Sequence, residues 1–342
     1  MSKAILITGG AGFIGSNFIQ YYQKKYPEQQ LINVDKLTYA GSLNNLVEVE
    51  DAENYHFIHG DIADRTTVAA IFDEYDVEGV IHFAAESHVD RSIDDASPFI
   101  DTNLVGTLNL LQAAKEDWEK KGELRQRRFH QISTDEVYGS LGESGKFTEE
   151  TPYDPRNPYS ASKAGANLLV KSFGYTYGMN VIISSCSNNY GPRQHDEKLL
   201  PTIIRHALAN EPIPIYGDGK NIRDWLYVED HCKAIDRIYH QGKTMEVYNV
   251  GGSNEQENIM ITKMVCQLLD ELRPDLLQTY RLEHFSDLIT YVDDRQGHDK
   301  RYAIDASKIQ KELGWQPEVD LENGLRKTVE WYVEKWKTDV PI

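Results

Sequence analysis

Two residues in this sequence have the types and spacing needed for acid–base chemistry on an alcohol. Tyr159 and Lys163 are four residues apart, so in a helix they share one face and the lysine ammonium can approach the phenol. A tyrosine with a pKa of about 10 is a weak base at neutral pH unless a cation favours its ionised form. The pair therefore suits removal of a hydroxyl proton while a nicotinamide accepts the hydride.

A second group, Thr134-Asp135-Glu136, adds a possible acid and a possible base. Oxidation of an alcohol needs neither, so the two carboxyl groups indicate a further chemical step. Adjacent carboxyl groups push their pKa values apart, which lets one stay protonated while the other ionises. Neighbours in a strand point to opposite faces, so both can reach one substrate only if the chain turns after Thr134. The alternatives without chemistry are a helix cap with a surface acid, and an ordinary exposed helical pair at Tyr159 and Lys163.

The elements that must position these residues alternate between strands and helices in the first half of the chain. This alternation predicts right-handed βαβ units and an α/β fold, a Rossmann-type doubly wound parallel sheet with helices on both faces. The predicted strands are Ala4–Thr8, Gln30–Asp35, Tyr55–Asp61, Gly79–Ala84, Arg128–Thr134 and Asn180–Ser185. The predicted helices are Gly12–Lys25, Thr66–Tyr75, Pro98–Lys120 and Pro158–Tyr177.

A glycine-rich turn between the first predicted strand and helix predicts a dinucleotide site. Gly10, Gly12 and Gly15 match G-x-G-x-x-G, which allows the backbone to approach a pyrophosphate at a helix N-terminus. Asp35 ends the second predicted strand, where a carboxylate binds ribose hydroxyls and repels a 2′-phosphate, so NAD is favoured over NADP. A glycine-rich turn without a ligand is the alternative.

Two further segments lie at the same predicted edge of the sheet. Asp61 and Ile62 are candidate adenine contacts, although Asp61 could equally cap the next helix. Phe83, Ala84 and Ala85 end the fourth predicted strand at the carboxyl edge, where such folds bind ligands.

The rhythm of the sequence changes after about Asn188, where proline and glycine become frequent. Helical patterns at Leu199–Asn210, Ile261–Leu272 and Leu321–Trp336 stand between short strands. We predict an NAD-binding domain over 1–187, which a later segment at about 218–248 rejoins. Residues 188–342 are predicted to form mainly a smaller α/β domain that binds the substrate.

Composition excludes several classes of function. The net charge of −18 argues against general binding to nucleic acid or to anionic membranes. No apolar run approaches the ~20 residues needed to span a bilayer. The first residues pass directly into a predicted strand without the apolar stretch of a signal peptide, so we expect a cytoplasmic protein. Cys186, Cys232 and Cys266 match no metal-binding spacing, so we expect buried reduced thiols and no metal site.

Together these residues resemble the extended short-chain dehydrogenase/reductase family that acts on nucleotide sugars. The resemblance covers nearly the whole chain, and its strings are more specific together than singly. They are Gly9–Gly15, Val34–Gly41, Phe83–Ser92, Ser133–Gly139, Tyr159–Lys163, Gly217–Gly219, Arg223–Val228 and Asp294–Asp299. The family usually has proline where Gln296 stands, a difference that affects the stiffness of that loop.

The resemblance implies a 4,6-dehydration of dTDP-glucose, a hydro-lyase reaction of deoxysugar biosynthesis with NAD as the cofactor. Tyr159 takes the C4 hydroxyl proton as hydride leaves C4, and the resulting 4-ketone acidifies the C5–H bond. Glu136 then removes the C5 proton, Asp135 protonates the departing C6 hydroxyl, and hydride returns to C6. Thr134 is implied to hydrogen-bond O4, and Lys163 to bind the nicotinamide ribose and lower the pKa of Tyr159. The product is dTDP-4-dehydro-6-deoxyglucose.

The resemblance also implies the binding residues and a homodimer formed through the helices Pro98–Lys120 and Pro158–Tyr177. Besides Tyr159 and Lys163, the implied cofactor contacts are Gly9, Gly12, Phe13, Ile14, Gly15, Asp35, Lys36, Thr38, Gly41, Asp61, Ile62, Phe83, Ala84, Ala85, Ser87 and Thr102. The implied substrate contacts are Ser87, Thr134, Asn188, Lys198, Leu199, Pro214, Tyr216, Arg223, Asn258, Arg295 and His298, whose cations suit a diphosphate.

Two other functions remain open from the sequence. A nucleotide-sugar 4-epimerase or decarboxylase of the same family would share the glycine turn, Tyr159 and Lys163, but would not need both Asp135 and Glu136. A non-catalytic dinucleotide-sensing protein would keep the fold as a binding module and could lose all four side chains. The preference for thymidine over uridine rests on the resemblance alone.

Overall fold

The computed structural model describes residues 2–294 and 298–337, and its strands form three sheets. The strands are β1 Lys3–Thr8, β2 Gln30–Asp35, β3 Tyr55–His59, β4 Asp76–His82, β5 Arg128–Thr134, β6 Asn180–Cys186, β7 Asn188–Tyr190, β8 Ile213–Tyr216, β9 Ile222–Tyr227, β10 Val247–Val250, β11 Glu255–Glu257 and β12 Ile289–Val292. The largest sheet has seven parallel strands in the order β10-β6-β5-β4-β1-β2-β3. The predicted α/β fold with a doubly wound parallel sheet is confirmed.

Helices cover both faces of this sheet and build the second half of the molecule. They are α1 Phe13–Lys25, α2 Arg65–Glu74, α3 Val89–Asp94, α4 Ser97–Ile100, α5 Thr107–Lys120, α6 Pro158–Tyr177, α7 Leu199–Leu208, α8 Val228–Gln241, α9 Asn258–Leu272, α10 Pro274–Tyr280, α11 Ser307–Leu313 and α12 Leu321–Lys337. Local chemistry sets several of their ends. The side chain of Asn157 caps α6, Pro158 follows at the first helical position, and Gly178 ends the helix in a left-handed conformation.

Two apolar layers sandwich the large sheet and hold its carboxyl edge in place. On one side, Trp118 and Phe129 are fully buried among residues of α2, α5 and α6. On the other side, Phe18 and Tyr22 of α1 pack against α8 residues such as Ile235. Such burial is the main source of stability in a domain of this size.

The second half of the chain has its own apolar core, formed by α7, α9, α12 and the strands β8 and β9. Strand β10 nevertheless joins the large sheet beside β6, and α8 packs against α1. Strand β9 pairs with β7 and β11 in a small sheet, and α11 packs against α8 and β10. The chain therefore returns to the large sheet at 228–250 and again at 307–313. In the described part of the chain, no helix is both long enough and apolar enough to cross a membrane.

One predicted helix is interrupted in the structure. The single helix expected over Pro98–Lys120 is observed as α4, a π-helical turn at Asp101–Gly106, and then α5. Within the turn, the Asn103 side chain is bonded to the backbone of Glu86, and the Thr107 hydroxyl donates to the Asn103 carbonyl. Hydroxyls that bond back in this way bend helices. The strand predicted to reach Ala84 correspondingly ends at His82.

Helix α8 links the two halves of the molecule through Asp230. One carboxylate oxygen of Asp230 accepts hydrogen bonds from the backbone N–H groups of Glu318 (3.0 Å) and Val319 (2.8 Å). Its carbonyl accepts from the Trp315 indole at 3.1 Å. Asp230 is fully buried, so water cannot take the place of its carboxylate as the acceptor for these N–H groups.

We expect Asp230→Ala to lower the free energy of unfolding by about 2 kcal/mol, because two backbone donors lose a charged acceptor. Urea unfolding followed by circular dichroism measures the change. Glu229→Ala is the matched control, since Glu229 lies next to it on α8 but is exposed, and its loss should stay within about 0.5 kcal/mol. Equal effects of the two variants would contradict the link.

Candidate active site

A cavity of about 320 Å³ lies at the carboxyl edge of the large sheet, within the size range of small-molecule sites. All five residues predicted to be catalytic line it: Thr134, Asp135, Glu136, Tyr159 and Lys163. The remaining predicted cofactor residues line it too: Gly9, Gly12, Phe13, Ile14, Gly15, Asp35, Lys36, Thr38, Gly41, Asp61, Ile62, Phe83, Ala84, Ala85, Ser87 and Thr102. Residues that are far apart in the sequence therefore surround one space.

The glycine turn between β1 and α1 has the shape that a dinucleotide pyrophosphate requires. Gly9 has φ +72°, and a Cβ at this position would lie 2.6 Å from Ala84 Cα. A Cβ on Gly15 would lie 2.4 Å from the Gly9 carbonyl oxygen. Only glycine fits such close backbone packing, and the turn leads directly into the N-terminus of α1.

The end of β2 supplies an acidic group suited to ribose hydroxyls. The two carboxylate oxygens of Asp35 accept hydrogen bonds from the N–H groups of Ala11 (2.9 Å) and Leu37 (2.8 Å). A carboxylate has about four acceptor positions, so Asp35 can still bind two hydroxyls. Burial raises the pKa of Asp35, while these two backbone hydrogen bonds oppose the shift.

Asp61 lines the cavity and does not cap the next helix. Its carboxylate pairs with Lys36 at 2.7 Å and accepts from the N–H of Ala63 at 2.8 Å. The side chain that caps α2 is Asp64, which accepts from the N–H of Thr66. Of the two readings of Asp61 that the sequence left open, its position is compatible with the adenine contact.

The chain turns immediately after Thr134, as the chemistry requires. The Thr134 hydroxyl accepts from the N–H of Glu136 at 3.3 Å and starts a 3-10 turn at Asp135–Tyr138. Gly139 ends the turn with φ +89°, where a Cβ would lie 2.7 Å from the Asp154 carbonyl oxygen. The turn places both carboxyl groups in the lining of one cavity, which an extended strand would not do.

The two carboxyl groups have different environments. Asp135 is 1% exposed, and one of its oxygens has no hydrogen-bond partner. Burial raises the pKa of Asp135 well above its usual value, and the charges of Glu136 and Asp224 add to the increase, against a smaller opposing effect of Arg223. Glu136 is only half-buried, and its carboxylate accepts from the Ser160 hydroxyl at 3.5 Å. Burial therefore favours the protonated form of Asp135, which is the form that a proton donor needs.

Helix α6 carries Tyr159 and Lys163 into the same cavity. Burial raises the pKa of Tyr159 well above its usual value and the charge of Glu136 adds to this, while a hydrogen bond with Thr134 opposes it. The Lys163 ammonium donates to the Ile132 carbonyl at 2.7 Å, and burial lowers its pKa to about 8. We expected Lys163 to lower the pKa of Tyr159; in this structure burial of the phenol dominates.

The predicted substrate residues fall into two groups. Ser87, Thr134, Asn188 and Lys198 line the cavity, whereas Leu199, Pro214, Tyr216, Arg223, Asn258 and His298 do not. Arg295 lies outside the described residues. The ring of Tyr216 is edge-on to His298 at 6.4 Å. Arg223 is almost buried, stacks over Tyr302 at 4.3 Å and donates to the carbonyls of Asp299 and Ile222.

Sequence reasoning missed a charged cluster around Glu197 at the cavity. The Glu197 carboxylate lies 3.5 Å from His88, 3.7 Å from Arg91 and from His195, and 3.9 Å from Lys198. The Arg91 guanidinium also stacks over the Tyr39 ring at 3.7 Å. An acid beside the predicted phosphate ligand Lys198 was the available signal, but His88 and Arg91 come from a distant segment of the sequence. The other lining residues that were not predicted are Val34, Ala40, Gly60, Glu86, Ile132, Ser133, Cys186, Ser187, Asn189, Gln194 and His195.

Comparison with known proteins gives consistent matches over nearly the full length. A family model described as GDP-mannose 4,6 dehydratase matches residues 6–328. A protein of Sinorhizobium fredii, described as a probable dTDP-glucose 4,6-dehydratase, is 51% identical over 332 residues, which are 96% of this chain and 93% of that protein.

Solved structures with the same fold include dehydratases and epimerases. DesIV of Streptomyces venezuelae, a dTDP-glucose 4,6-dehydratase solved with NAD and TYD bound, has a TM-score of 0.86 and 42% identity and covers 98% of each chain. The UDP-glucose 4-epimerase of Thermotoga maritima has a TM-score of 0.83 and 29% identity and covers 98% of this chain and 99% of its own. Similarity of fold alone therefore does not separate the two reactions.

We expect Gly15→Ala to weaken NAD binding by at least about tenfold, because the added methyl would displace the Gly9 carbonyl from the turn. Calorimetric titration of cofactor-depleted protein measures the dissociation constant. Gly142→Ala is the control, since a Cβ there meets no atom within 4 Å. Unchanged affinity in Gly15→Ala would remove the turn from the cofactor site.

Proposed function

The chain belongs to the extended short-chain dehydrogenase/reductase family of nucleotide-sugar dehydratases, and we propose that it dehydrates dTDP-glucose to dTDP-4-dehydro-6-deoxyglucose with NAD. The predicted family resemblance and hydro-lyase function are confirmed by dehydratase relatives that are 50% and 51% identical. The predicted cofactor is confirmed by related dehydratase structures solved with NAD. The roles of individual side chains are proposals from the geometry.

One observation carries the assignment to a dehydratase. Asp135 and Glu136 line the same cavity as Tyr159, and burial together with the Glu136 charge raises the pKa of Asp135. Elimination of water needs a proton donor for the leaving hydroxyl and a base for the C–H bond in one pocket. A 4-epimerase or decarboxylase would not need both groups, and a binding module would need neither.

In the proposed reaction, NAD supplies a hydride acceptor for C4 of the sugar and a hydride donor for C6. Thr134 bonds the O4 atom, and Tyr159 takes the O4 proton as hydride leaves C4, which generates a 4-ketone on the sugar. Because burial raises the pKa of Tyr159, its ionised form needs positive charge beside it, which the Lys163 ammonium and bound NAD would supply. The ketone stabilises negative charge that develops when Glu136 removes the C5 proton. Asp135 then donates its proton to the C6 hydroxyl, which leaves as water. Once hydride has reached C6, Glu136 gives its proton back to C5, which completes the 4-keto-6-deoxy sugar. The O4 proton held by Tyr159 then replaces, by exchange through water, the proton that Asp135 lost. All three side chains thereby return to their starting protonation states, so one active site completes all steps.

The two groups of predicted substrate residues suit different parts of the nucleotide sugar. Lys198 and Asn188 lie at the cavity, where they suit the sugar and the adjoining phosphate. Tyr216 and His298 lie on the second half of the molecule and suit the nucleoside end. Arg223 donates to the backbone carbonyls of Ile222 and Asp299, and these bonds fix the position of its guanidinium.

We expect Glu136→Gln to bind sugar and NAD but to lose C5 proton removal by at least about 10²-fold, as loss of a general base does. The protein is incubated with dTDP-glucose in D₂O, and nuclear magnetic resonance follows deuterium at C5 and formation of the 4-keto-6-deoxy product. The wild type should form this product. Deuterium incorporation at the wild-type rate in Glu136→Gln would show that another group is the base.

We also propose a cytoplasmic homodimer, supported by an apolar surface on α6. Leu168 and Tyr175 are seven residues apart on one face of this helix and are 59% and 80% exposed. Ile100 at the end of α4 and Val105 on the π-helical turn are also exposed, and both of these elements pack against α6. Large exposed side chains in one patch are typical of an interface between copies of a chain.

We expect Leu168→Asp to convert the dimer to a monomer, because a carboxylate would be buried without a partner in the interface. Light scattering coupled to size-exclusion chromatography measures the mass. Met260→Asp serves as the control, since Met260 is exposed to a similar extent on α9. If both variants keep the wild-type mass, α6 does not form the interface.

A further inference from the structure

A series of hydrogen bonds runs through the buried His82, which directly precedes the cavity-lining residue Phe83 and has no part in the chemistry described above. His82 ends β4, and its ring nitrogen Nδ1 lies 2.6 Å from the Thr8 hydroxyl. The other ring nitrogen, Nε2, lies 2.9 Å from the Thr107 hydroxyl. All three side chains are at most 1% exposed, so they bond to one another rather than to solvent.

The bond between Thr107 and Asn103 fixes which atom is the donor in each of the other hydrogen bonds of this series. The Thr107 hydroxyl donates to the Asn103 carbonyl at 2.6 Å, and it has only one hydrogen. It must therefore accept from His82, which places the imidazole hydrogen on Nε2. The bare Nδ1 then accepts from the Thr8 hydroxyl, whose oxygen accepts from the N–H of Ala84 at 3.2 Å. Burial and the nearby Lys163 charge lower the pKa of His82 to about 3, in agreement with a neutral ring.

The hydrogen bonds of this series hold both ends of the segment Ala84–Glu86, which lines the cavity. At one end, Thr8 accepts from Ala84. At the other end, the Asn103 side chain accepts from the N–H of Glu86 at 2.9 Å and donates to its carbonyl at 3.0 Å. The π-helical turn that presents Asn103 is the place where the Thr107 hydroxyl bonds back to the chain.

The same asparagine also connects to the helix that carries Tyr159. Its side-chain nitrogen donates to the Ser162 hydroxyl at 2.8 Å, and Ser162 donates to the Tyr159 carbonyl at 2.7 Å. His82 thus joins two parts of the cavity wall: the segment after β4 and the first turn of α6. If these hydrogen bonds were lost, the segment after β4 could shift relative to the first turn of α6.

We propose that neutral His82, held between Thr8 and Thr107, is a positioning residue that fixes the segment Ala84–Glu86 relative to Tyr159. This role deepens the proposed function and rests on it for the identity of the reaction. Correct placement of reacting groups can change a rate about 10²-fold for a displacement of about 1 Å. The hydrogen bonds through His82 therefore contribute to the rate of turnover, although His82 takes no part in the chemical steps.

The test replaces Thr107 by valine, which has the same shape but neither accepts from His82 nor donates to Asn103. Thr107→Ser retains the hydroxyl and is the rescue variant, and Thr8→Val breaks the other end. Ser184→Ala is the matched control, because it removes the partner of another buried histidine, His130, whose ring bonds Ser184 at 2.9 Å. Melting temperatures compare the loss of stability in all variants.

Three measurements read out position rather than stability. Hydrogen–deuterium exchange of the peptide that covers Phe83–Ser87 should accelerate about tenfold or more in Thr107→Val and Thr8→Val. The NAD dissociation constant should rise by a few-fold, and kcat should fall about tenfold while KM for the sugar stays within about twofold. Thr107→Ser should restore all three values, and Ser184→Ala should leave them unchanged.

Wild-type exchange rates at Phe83–Ser87 in both valine variants would overturn the positioning role, as would an equal acceleration in Ser184→Ala. The exchange measurement does not depend on turnover. A wild type that fails to convert dTDP-glucose would contradict the proposed function, while the exchange rates would still decide whether His82 positions the segment.

Discussion

The burial of one carboxyl group beside another is the interaction on which the account of this site depends. Asp135 lies in a nearly closed environment next to Glu136, and both desolvation and the neighbouring charge favour its protonated form. In the proposed reaction, two groups of the same chemical type can therefore take opposite roles, one as an acid and one as a base. A short 3-10 turn after β5 makes this possible, because it brings consecutive side chains to one cavity.

The parallel sheet supplies the rest of the arrangement. Its strands end at a common edge, where the glycine turn, Asp35 of β2 and the 3-10 turn after β5 all line one cavity. Tyr159 reaches this space from α6, whose N-terminus is fixed by Asn157 and Pro158. The hydrogen bonds through His82 then join the wall after β4 to this helix, so rigid elements hold groups from distant parts of the sequence.

Much of this arrangement could be predicted where the determinants are local. The strand Arg128–Thr134 and the helix Pro158–Tyr177 have the predicted bounds, because strand periodicity, a capping asparagine, a proline and a terminal glycine lie within the segments themselves. The glycine turn and the motif around Tyr159 likewise carry their chemistry in adjacent residues. From these features the fold class could be predicted, and the predicted cofactor and catalytic residues do line one cavity.

Features set by distant contacts could not be predicted. The π-helical turn at Asp101–Gly106 includes a bond between Asn103 and Glu86 that the local sequence does not reveal. The cluster around Glu197 likewise includes His88 and Arg91, which lie more than 100 residues away in the sequence. The upward shift of the Tyr159 pKa is caused mainly by burial, which the sequence spacing between Tyr159 and Lys163 does not reveal. The expected phosphate contact of Arg223 stays a prediction, whereas its bond to the Asp299 carbonyl joins segments that only the folded chain brings together.

The central claim is that a transient 4-ketone permits loss of water before the hydride returns to the same sugar. Incubation of the protein with dTDP-glucose that carries deuterium at C4, followed by nuclear magnetic resonance of the product, tests it most directly. We predict that the deuterium appears in the C6 methyl group of the same molecule. Product without this deuterium, or release of the label into solvent, would contradict the account.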